Sequence, residues 1–180
     1  MTDSRPSPGP RAARLVLFSG PPGVGKSSLS YALSRRTGWA VVAKDGIDRT
    51  AETCAGSLWQ PIWAYHLMLG IADLNLRNGV SLILDAVFPK QAFRLQAMEI
   101  AAQHNARFLA IVCQCSDRRL WRSRVEQRPE VVPGWTPANW EEAQRVATYY
   151  EEWHGPHLSL DAAGAFDENL ARVLRYVQAP

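Results

Sequence analysis

Residues 20–28 of this chain read Gly20-Pro21-Pro22-Gly23-Val24-Gly25-Lys26-Ser27-Ser28, which has the spacing G-x-x-x-x-G-K-S. Residues 14–19 before this run are apolar and β-prone, and residues 29–36 after it have a helical composition. Glycines let such a turn curl until several backbone N–H groups point into one concavity, which a polyphosphate can fill. The helix that follows adds the positive end of its dipole. We therefore predict a nucleoside-triphosphate site formed by residues 20–28. In it Lys26 reaches the β- and γ-phosphates, and the Ser27 hydroxyl holds Mg²⁺.

Composition predicts an ordinary α/β protein. The chain has 180 residues, of which 47% are hydrophobic and 21% are charged. We expect a disordered, proline-rich tail at residues 1–12 and a single domain at residues 13–180.

The formal net charge of +3 is small, which argues against nucleic acid as a partner. The sequence shows neither a signal peptide nor an apolar run of membrane-spanning length. The odd number of cysteines, 3, favours reduced thiols and a cytoplasmic location.

Strand and helix patterns alternate along the chain, as in a parallel sheet covered by helices. The predicted strands are residues 14–19, 39–43, 80–84, 108–113 and 157–160. The predicted helices are residues 29–36, 58–77, 90–105, 117–127, 138–153 and 167–177.

Two aspartates follow predicted strands, at the sheet edge where open α/β folds bind ligands. Asp85 ends an apolar strand, and a carboxylate there can hold Mg²⁺ directly or through water. A solvated residue that caps the next turn is the alternative. Asp45 ends the preceding strand and could accept a proton from an attacking hydroxyl. An N-cap or turn residue in Lys44-Asp45-Gly46 is the alternative.

Arginine and tryptophan pairs supply the remaining candidates. Arg124 and Arg128 are four residues apart on a charged helix, so they share one face. They could clamp phosphate oxygens or cover a nucleobase, or they could form a solvated face paired with acidic neighbours. Trp59 and Trp63 are one helical turn apart. They could form an aromatic wall for an organic acceptor, although core packing is the more frequent role of such a pair.

Four segments together resemble the small P-loop kinases related to chloramphenicol phosphotransferase, zeta toxin and the 5′-hydroxyl domain of polynucleotide kinase. They are residues 20–28, residues 44–49 (Lys-Asp-Gly-Ile-Asp-Arg), residues 84–88 (Leu-Asp-Ala-Val-Phe), and residues 115–117 leading to residues 124–128. The resemblance spans roughly residues 14–160. The region of residues 59–68 matches no single member of the group well enough to assign the acceptor.

The resemblance implies a P-loop NTPase fold, a three-layer α/β sandwich. Its five parallel strands would run in the order 2-3-1-4-5, with helices on both faces and a short arginine-bearing lid. It also implies ATP as the phosphoryl donor and Asp45 as the carboxylate that orients the acceptor hydroxyl. Arg124 would belong to the lid, and Arg49 would stand near the acceptor or its phosphate.

The predicted function is transfer of the ATP γ-phosphoryl group, with Mg²⁺, to a hydroxyl of a small organic acceptor such as an antibiotic, sugar or nucleotide. A polynucleotide 5′-hydroxyl acceptor is an alternative within the kinases, and it requires a basic groove with stacking aromatics. A non-catalytic ATP-binding sensor or switch is the alternative from another class.

Overall fold

Strand and helix alternate along the chain in the computed structural model, which describes residues 12–128 and 137–179. The strands are β1 (Arg14–Ser19), β2 (Ala40–Ala43), β3 (Leu82–Asp85), β4 (Arg107–Gln114) and β5 (Leu158–Asp161). The helices are α1 (Lys26–Thr37), α2 (Lys44–Ala55), α3 (Pro61–Arg77), α4 (Gln91–Gln103), α5 (Arg118–Glu126), α6 (Trp140–Tyr149) and α7 (Phe166–Gln178). A 3₁₀ turn, Gly56–Leu58, precedes α3. The tail predicted at residues 1–12 falls, except for residue 12, outside the described residues.

The five strands form one parallel sheet in the order β2-β3-β1-β4-β5, so the predicted order is confirmed. Phe18 of β1 and Ala43 of β2 are the register partners of Asp85 on the two sides of β3. All carboxyl ends of the strands therefore meet at one sheet edge. The loop of residues 20–25, between β1 and α1, leaves the sheet at that edge.

Alternate residues of the central strand β1 enter two separate cores, because successive side chains of a strand point to opposite faces. Leu15 and Leu17 pack with residues of α3 and α4 on one face. Val16 and Phe18 pack with residues of α1 and α7 on the other. The predicted arrangement, with helices on both faces of the sheet, is confirmed.

Several helix boundaries differ from the sequence prediction. The helix predicted from residue 58 begins at Pro61, so Trp59 precedes it. Helix α2 is not among the predicted helices, and it begins at Lys44, directly after β2. Asp45 lies in its first turn, where a negative charge is favourable to the helix dipole. The helix predicted over residues 138–153 ends at Tyr149, and Tyr150 is extended. The cause is tertiary contact: the Tyr150 hydroxyl lies 2.6 Å from Ser19 Oγ, and the N–H of Glu151 donates to the Pro89 carbonyl.

Two further sequence expectations concern membranes and cysteines. Within residues 12–128 and 137–179, none of the helices is long and apolar enough to cross a membrane. Cys54, Cys113 and Cys115 are free cysteines in the structure. Residues 129–136, between the predicted helices 117–127 and 138–153, lie outside the part of the chain that the structure describes.

Candidate active site

The loop of residues 20–25 is closely packed against its neighbours. Gly20 has φ +136°, and a Cβ built there would lie 2.1 Å from the carbonyl oxygen of Cys113 in β4. Gly23 has φ +80°, and its Cβ would lie 2.4 Å from a methyl carbon of Val125 in α5. Both positions therefore need glycine for space as well as for backbone conformation.

We expect Gly20→Ala to lower the free energy of unfolding by about 2 kcal/mol or more, because both the backbone at Cys113 and the φ angle oppose a side chain. Gly70→Ala is the matched control. Gly70 lies inside α3, and a Cβ there meets nothing within 4 Å. Alanine should therefore stabilise this helix by about 0.5–1 kcal/mol. Urea denaturation measures both variants, and equal stability of the two would contradict the packing described for the loop.

Lys26, the first residue of α1, has its ammonium folded back over the loop. Its Nζ donates to the Pro21 carbonyl oxygen at 2.8 Å, and the side chain is buried. Burial lowers the pKa of Lys26, and the nearby charge of Asp85 opposes that shift. A phosphate in the loop would restore a close counter-charge to this ammonium.

Asp85, at the carboxyl end of β3, lies directly beside the start of α1. It is buried, and its Oδ2 accepts a hydrogen bond from Ser30 Oγ at 3.2 Å. Burial raises the pKa of Asp85, while the Lys26 charge and a hydrogen bond with the Ser27 side chain lower it. Ser27 and Asp85 thus bring a hydroxyl and a carboxylate together, and these are ligands that Mg²⁺ accepts. The described residues contain no cluster of three or more His, Cys, Asp or Glu side chains suited to a metal.

Asp45 faces the loop from α2 and pairs with an arginine that is distant in sequence. Arg128 Nη2 donates to Asp45 Oδ2 at 2.9 Å, and the Asp45 side chain is 47% exposed. This ion pair links the first turn of α2 with the segment that follows α5. Asp45 was predicted to act on the acceptor hydroxyl and Arg128 to bind phosphate or cover a nucleobase. In the structure the two side chains form an ion pair.

Side chains of helix α5 fix it to the loop and to the residue that follows β5. Trp121 Nε1 donates to the Pro22 carbonyl oxygen at 2.7 Å, and Arg124 Nη1 donates to the Ala162 carbonyl oxygen at 2.8 Å. Asp117 caps the helix by accepting from the N–H groups of Arg119 and Leu120. These contacts hold the Arg124 guanidinium at the edge of the phosphate loop.

A single cavity of about 590 Å³ brings most of the predicted site residues together. The predicted residues that line it are Pro22, Gly23, Val24, Gly25, Lys26, Ser27, Ser28, Asp45, Asp85, Arg124 and Arg128. The structure does not place Gly20, Pro21, Arg49, Trp59 or Trp63 in its lining.

The sequence analysis missed several residues of the cavity lining, among them Tyr31, Gln127, Phe166 and Asn169. Tyr31 could have been found, because it lies four residues after Ser27 and therefore on the same face of α1. Phe166 and Asn169 follow β5 at the same sheet edge as the loop. Their position becomes visible only once β5 is placed next to β4.

Trp59 contacts a buried carboxylate. Its Nε1 donates to Asp48 Oδ1 at 3.0 Å, and Asp48 also forms an ion pair with Lys44. Asp48 is buried, so its carboxylate oxygens need both of these hydrogen-bonding partners. The Trp63 ring packs edge-on against Trp59 with a centroid distance of 5.7 Å, and Trp63 is 46% exposed. Their assignment as an aromatic wall for the acceptor stays a prediction.

Removing the Trp59 indole N–H should destabilise the protein. Trp59→Phe leaves one oxygen of buried Asp48 without its donor, at a cost of about 1–2 kcal/mol. A thermal melt should show a decrease of roughly 2–4 °C for each kcal/mol. Trp63→Phe is the control and should change stability by less than about 0.5 kcal/mol, since Trp63 is half-exposed. If the two variants melt at the same temperature, the hydrogen bond to Asp48 contributes nothing.

Arg94 is a buried cation that the sequence analysis did not identify. Its guanidinium donates to the carbonyl oxygens of Phe88, Pro89 and Glu152, and it stacks on the Tyr150 ring. Burial lowers its pKa. These bonds fix the segment between β3 and α4, whose Val87 carbonyl accepts from the Gly20 N–H at 3.2 Å. Arg94 therefore stabilises the segment that accepts the hydrogen bond from Gly20 of the loop.

The sheet order and the glycine-rich loop together define a P-loop NTPase fold of the small-kinase type. Residues 15–148 match the family described as AAA domain (AAA_33). This match covers more than half of the chain, and the chain belongs to that family.

Three solved structures share the fold across more than nine-tenths of this chain. The APS kinase CysC of Mycobacterium tuberculosis, in complex with AMPPNP and APS, has a TM-score of 0.67 and 18% identity, with 94% of this chain and 100% of that chain covered. A sugar kinase from Janibacter sp. HTCC2649 has a TM-score of 0.69 and 16% identity, with coverages of 92% and 94%. Kti12 of Chaetomium thermophilum, in complex with ADP-AlF3, has a TM-score of 0.68 and 14% identity, with coverages of 92% and 100%. At these identities the likeness establishes the fold alone.

Curated relatives are uncharacterized proteins of Mycobacterium tuberculosis and Mycobacterium bovis. Each is 25% identical over 172 residues, which cover 88% of this chain. The chain spans about a third of their length, 34%.

Proposed function

We propose that this protein is an ATP-dependent kinase that transfers the γ-phosphoryl group to a hydroxyl of a small organic acceptor. One observation carries the proposal. One cavity is lined by the phosphate loop, by Ser27 and Asp85, whose oxygens suit Mg²⁺, and by a second carboxylate, Asp45. The kinases that share the fold support the same chemistry.

The donor would lie along the loop. Its phosphates would accept from the backbone N–H groups at the start of α1 and from Lys26. Its base would lie on the β5 side, where Phe166 is 46% exposed and lines the cavity, as Arg124 also does. An aromatic ring and a guanidinium are both surfaces on which a base can stack.

Magnesium would be held by the Ser27 hydroxyl and Asp85. When bound, it would neutralise charge on the phosphate oxygens. Lys26, with Arg124 and Arg128, would provide the positive groups that face the transferred phosphoryl group. Asp45 would accept a hydrogen bond from the acceptor hydroxyl and direct its oxygen toward the γ-phosphorus.

The decisive experiment measures ADP release from Mg·ATP with a panel of hydroxyl compounds, including oligonucleotides with a free 5′-hydroxyl. We expect release to depend on the acceptor and on Mg²⁺, with a phosphorylated product visible by mass spectrometry. Chelation of the metal is the control. A chain that binds ATP but releases ADP equally with and without every acceptor would be a sensor or switch. Activity confined to the oligonucleotides would identify a polynucleotide kinase.

A further inference from the structure

The turn that follows β5 lies beside the phosphate loop. A Cβ built on Gly25 of the loop would lie 3.9 Å from the Ala162 side chain. The Ala162 N–H donates to the Gln114 carbonyl oxygen at 2.7 Å, and the Ala162 carbonyl oxygen accepts from Arg124. Residues 161–164, which we name the β5 turn, therefore border the part of the cavity in which the donor base is proposed to lie.

Hydrogen bonds fix the shape of the β5 turn. Asp161 Oδ1 accepts from the N–H groups of Ser116 at 3.0 Å and Ala163 at 2.9 Å. The Asp161 carbonyl oxygen accepts from the Gly164 N–H at 3.1 Å and from Nδ2 of Asn169, in α7, at 2.8 Å. The Asn169 side chain is thus held in place by a turn whose own conformation is fixed.

The Asp161 carbonyl also decides which way the Asn169 amide faces. A carbonyl oxygen can only accept a hydrogen bond, so the amide atom that faces it has to be the nitrogen. The amide oxygen Oδ1 then lies on the other side of the amide group, away from Asp161. Its orientation follows from the hydrogen-bond network, as that of an asparagine amide must.

Asn169 Oδ1 faces the cavity. Asn169 is only 6% exposed, and within residues 12–128 and 137–179 its Oδ1 accepts no hydrogen bond. In the same part of the chain, Arg14 Nε is the one fully buried polar side-chain atom of an unexposed residue that lacks a partner, so Asn169 Oδ1 is in contact with open space. Asn169 belongs to the cavity lining. The open space is therefore the cavity, and a ligand there can supply the donor for Oδ1.

Phe166 lies next to Asn169 in the first turn of α7. The two residues are three apart and therefore on one side of the helix, and both line the cavity. The Phe166 ring is 46% exposed. A flat ring beside a hydrogen-bond acceptor suits a heterocycle, because the ring covers one face of the heterocycle and the acceptor binds an N–H at its edge.

We propose that Asn169 selects adenine as the base of the donor. Its Oδ1 accepts a hydrogen bond from the 6-amino group of adenine, and the Phe166 ring packs against the face of the base. This inference rests on the proposed function, which places a nucleoside triphosphate on the loop. Guanine in the same orientation carries an oxygen where adenine carries the amino group, and that oxygen and Oδ1 are both acceptors. The site therefore discriminates against GTP.

Three nucleotides test the hydrogen bond in the unmodified protein: ATP, GTP, and purine riboside triphosphate, which lacks only the 6-amino group of ATP. Calorimetric titration with each Mg²⁺ complex measures Kd without any acceptor. We expect Kd to be about tenfold higher for purine riboside triphosphate than for ATP, the equivalent of one hydrogen bond. For GTP we expect a Kd about 100-fold higher, because two acceptors then face each other.

The same titrations separate failure of this inference from failure of the proposed function. Equal affinity for ATP and purine riboside triphosphate, or GTP that binds as tightly as ATP, would overturn the inference and leave the phosphate site intact. Binding of none of the three nucleotides would overturn the proposed function as well.

Asn169→Ala separates recognition of the base from support of the β5 turn. The variant should bind ATP and purine riboside triphosphate with Kd values within about twofold of each other, because the acceptor oxygen is gone. If Asn169→Ala melts at a lower temperature but keeps the preference for ATP, Asn169 only supports the turn and the proposal is overturned. The titrations of the unmodified protein decide the question by themselves if this variant does not fold.

Arg172→Ala is the matched control. Arg172 Nη2 donates to the Ser159 carbonyl oxygen at 2.9 Å, so Arg172 also links α7 to β5, but it lies outside the cavity lining. This variant removes a comparable link and should keep the preference of about tenfold for ATP over purine riboside triphosphate. Loss of that preference in Arg172→Ala as well as in Asn169→Ala would show that the position of α7, and not the Asn169 amide, discriminates, and would overturn the proposal.

Discussion

Replacing Lys26 with alanine should lower the rate of phosphoryl transfer by about 10³-fold or more, because the variant removes the ammonium that would balance charge on the transferred group. Lys26 is buried in the loop, and its Nζ contacts only the Pro21 carbonyl among the hydrogen bonds described for it. Its burial already lowers its pKa, so the fold gains little from this charge. Steady-state ADP release at saturating acceptor measures the loss, and calorimetric titration with Mg·ATP measures the affinity.

The chain contains three lysines, at positions 26, 44 and 90, and they form a natural set of controls. Lys44→Ala should lower the melting temperature, because it leaves buried Asp48 without its cation. Lys90→Ala should change neither activity nor melting by a measurable amount, since the Lys90–Glu151 pair is exposed. Lys26→Ala should lose activity with a melting temperature close to that of the parent chain. An active Lys26→Ala protein would remove the basis for the phosphate site.

The glycine-rich loop and the strands around it are predictable from the sequence because their signals are local. Gly20, Gly23 and Gly25 all have positive φ, as the motif requires. The apolar run that ends at Asp85 forms a buried strand, as its composition predicts. The strand order came from the family resemblance, since the pattern of alternating strands and helices does not specify which strands are neighbours.

The misses are tertiary in origin. Lys44-Asp45-Gly46 has the composition of a turn, yet a helix begins there because Lys44 and Trp59 both bind the buried carboxylate of Asp48. Tyr150 leaves its helix to reach Ser19, which is 131 residues away. Neither contact has a signature in nearby residues, so periodicity and capping patterns could not indicate them. The same holds for the pairing of Arg128 with Asp45.

Asp45→Asn should lower kcat by about 10²-fold or more, the usual contribution of a general base, and leave the KM for ATP within about threefold. The amide is the same shape as the carboxylate, and its oxygen can still accept from Arg128. The variant therefore keeps the geometry of the cavity and removes the proton acceptor. Rapid-quench or steady-state assays with a good acceptor measure kcat, and titration with Mg·ATP measures donor binding.

Asp85→Asn distinguishes the two carboxylates that line the cavity. Asp85 lies beside Ser27 and is buried, whereas the Asp45 side chain is about half exposed and sits at the start of α2. Asp85→Asn should raise the Mg²⁺ concentration needed for half-maximal activity, because it weakens a metal ligand. Asp45→Asn should leave that concentration unchanged. If Asp45→Asn instead shifts the Mg²⁺ requirement while Asp85→Asn lowers kcat at saturating Mg²⁺, the two roles are exchanged: the buried carboxylate orients the acceptor, and the helix-borne one serves the metal.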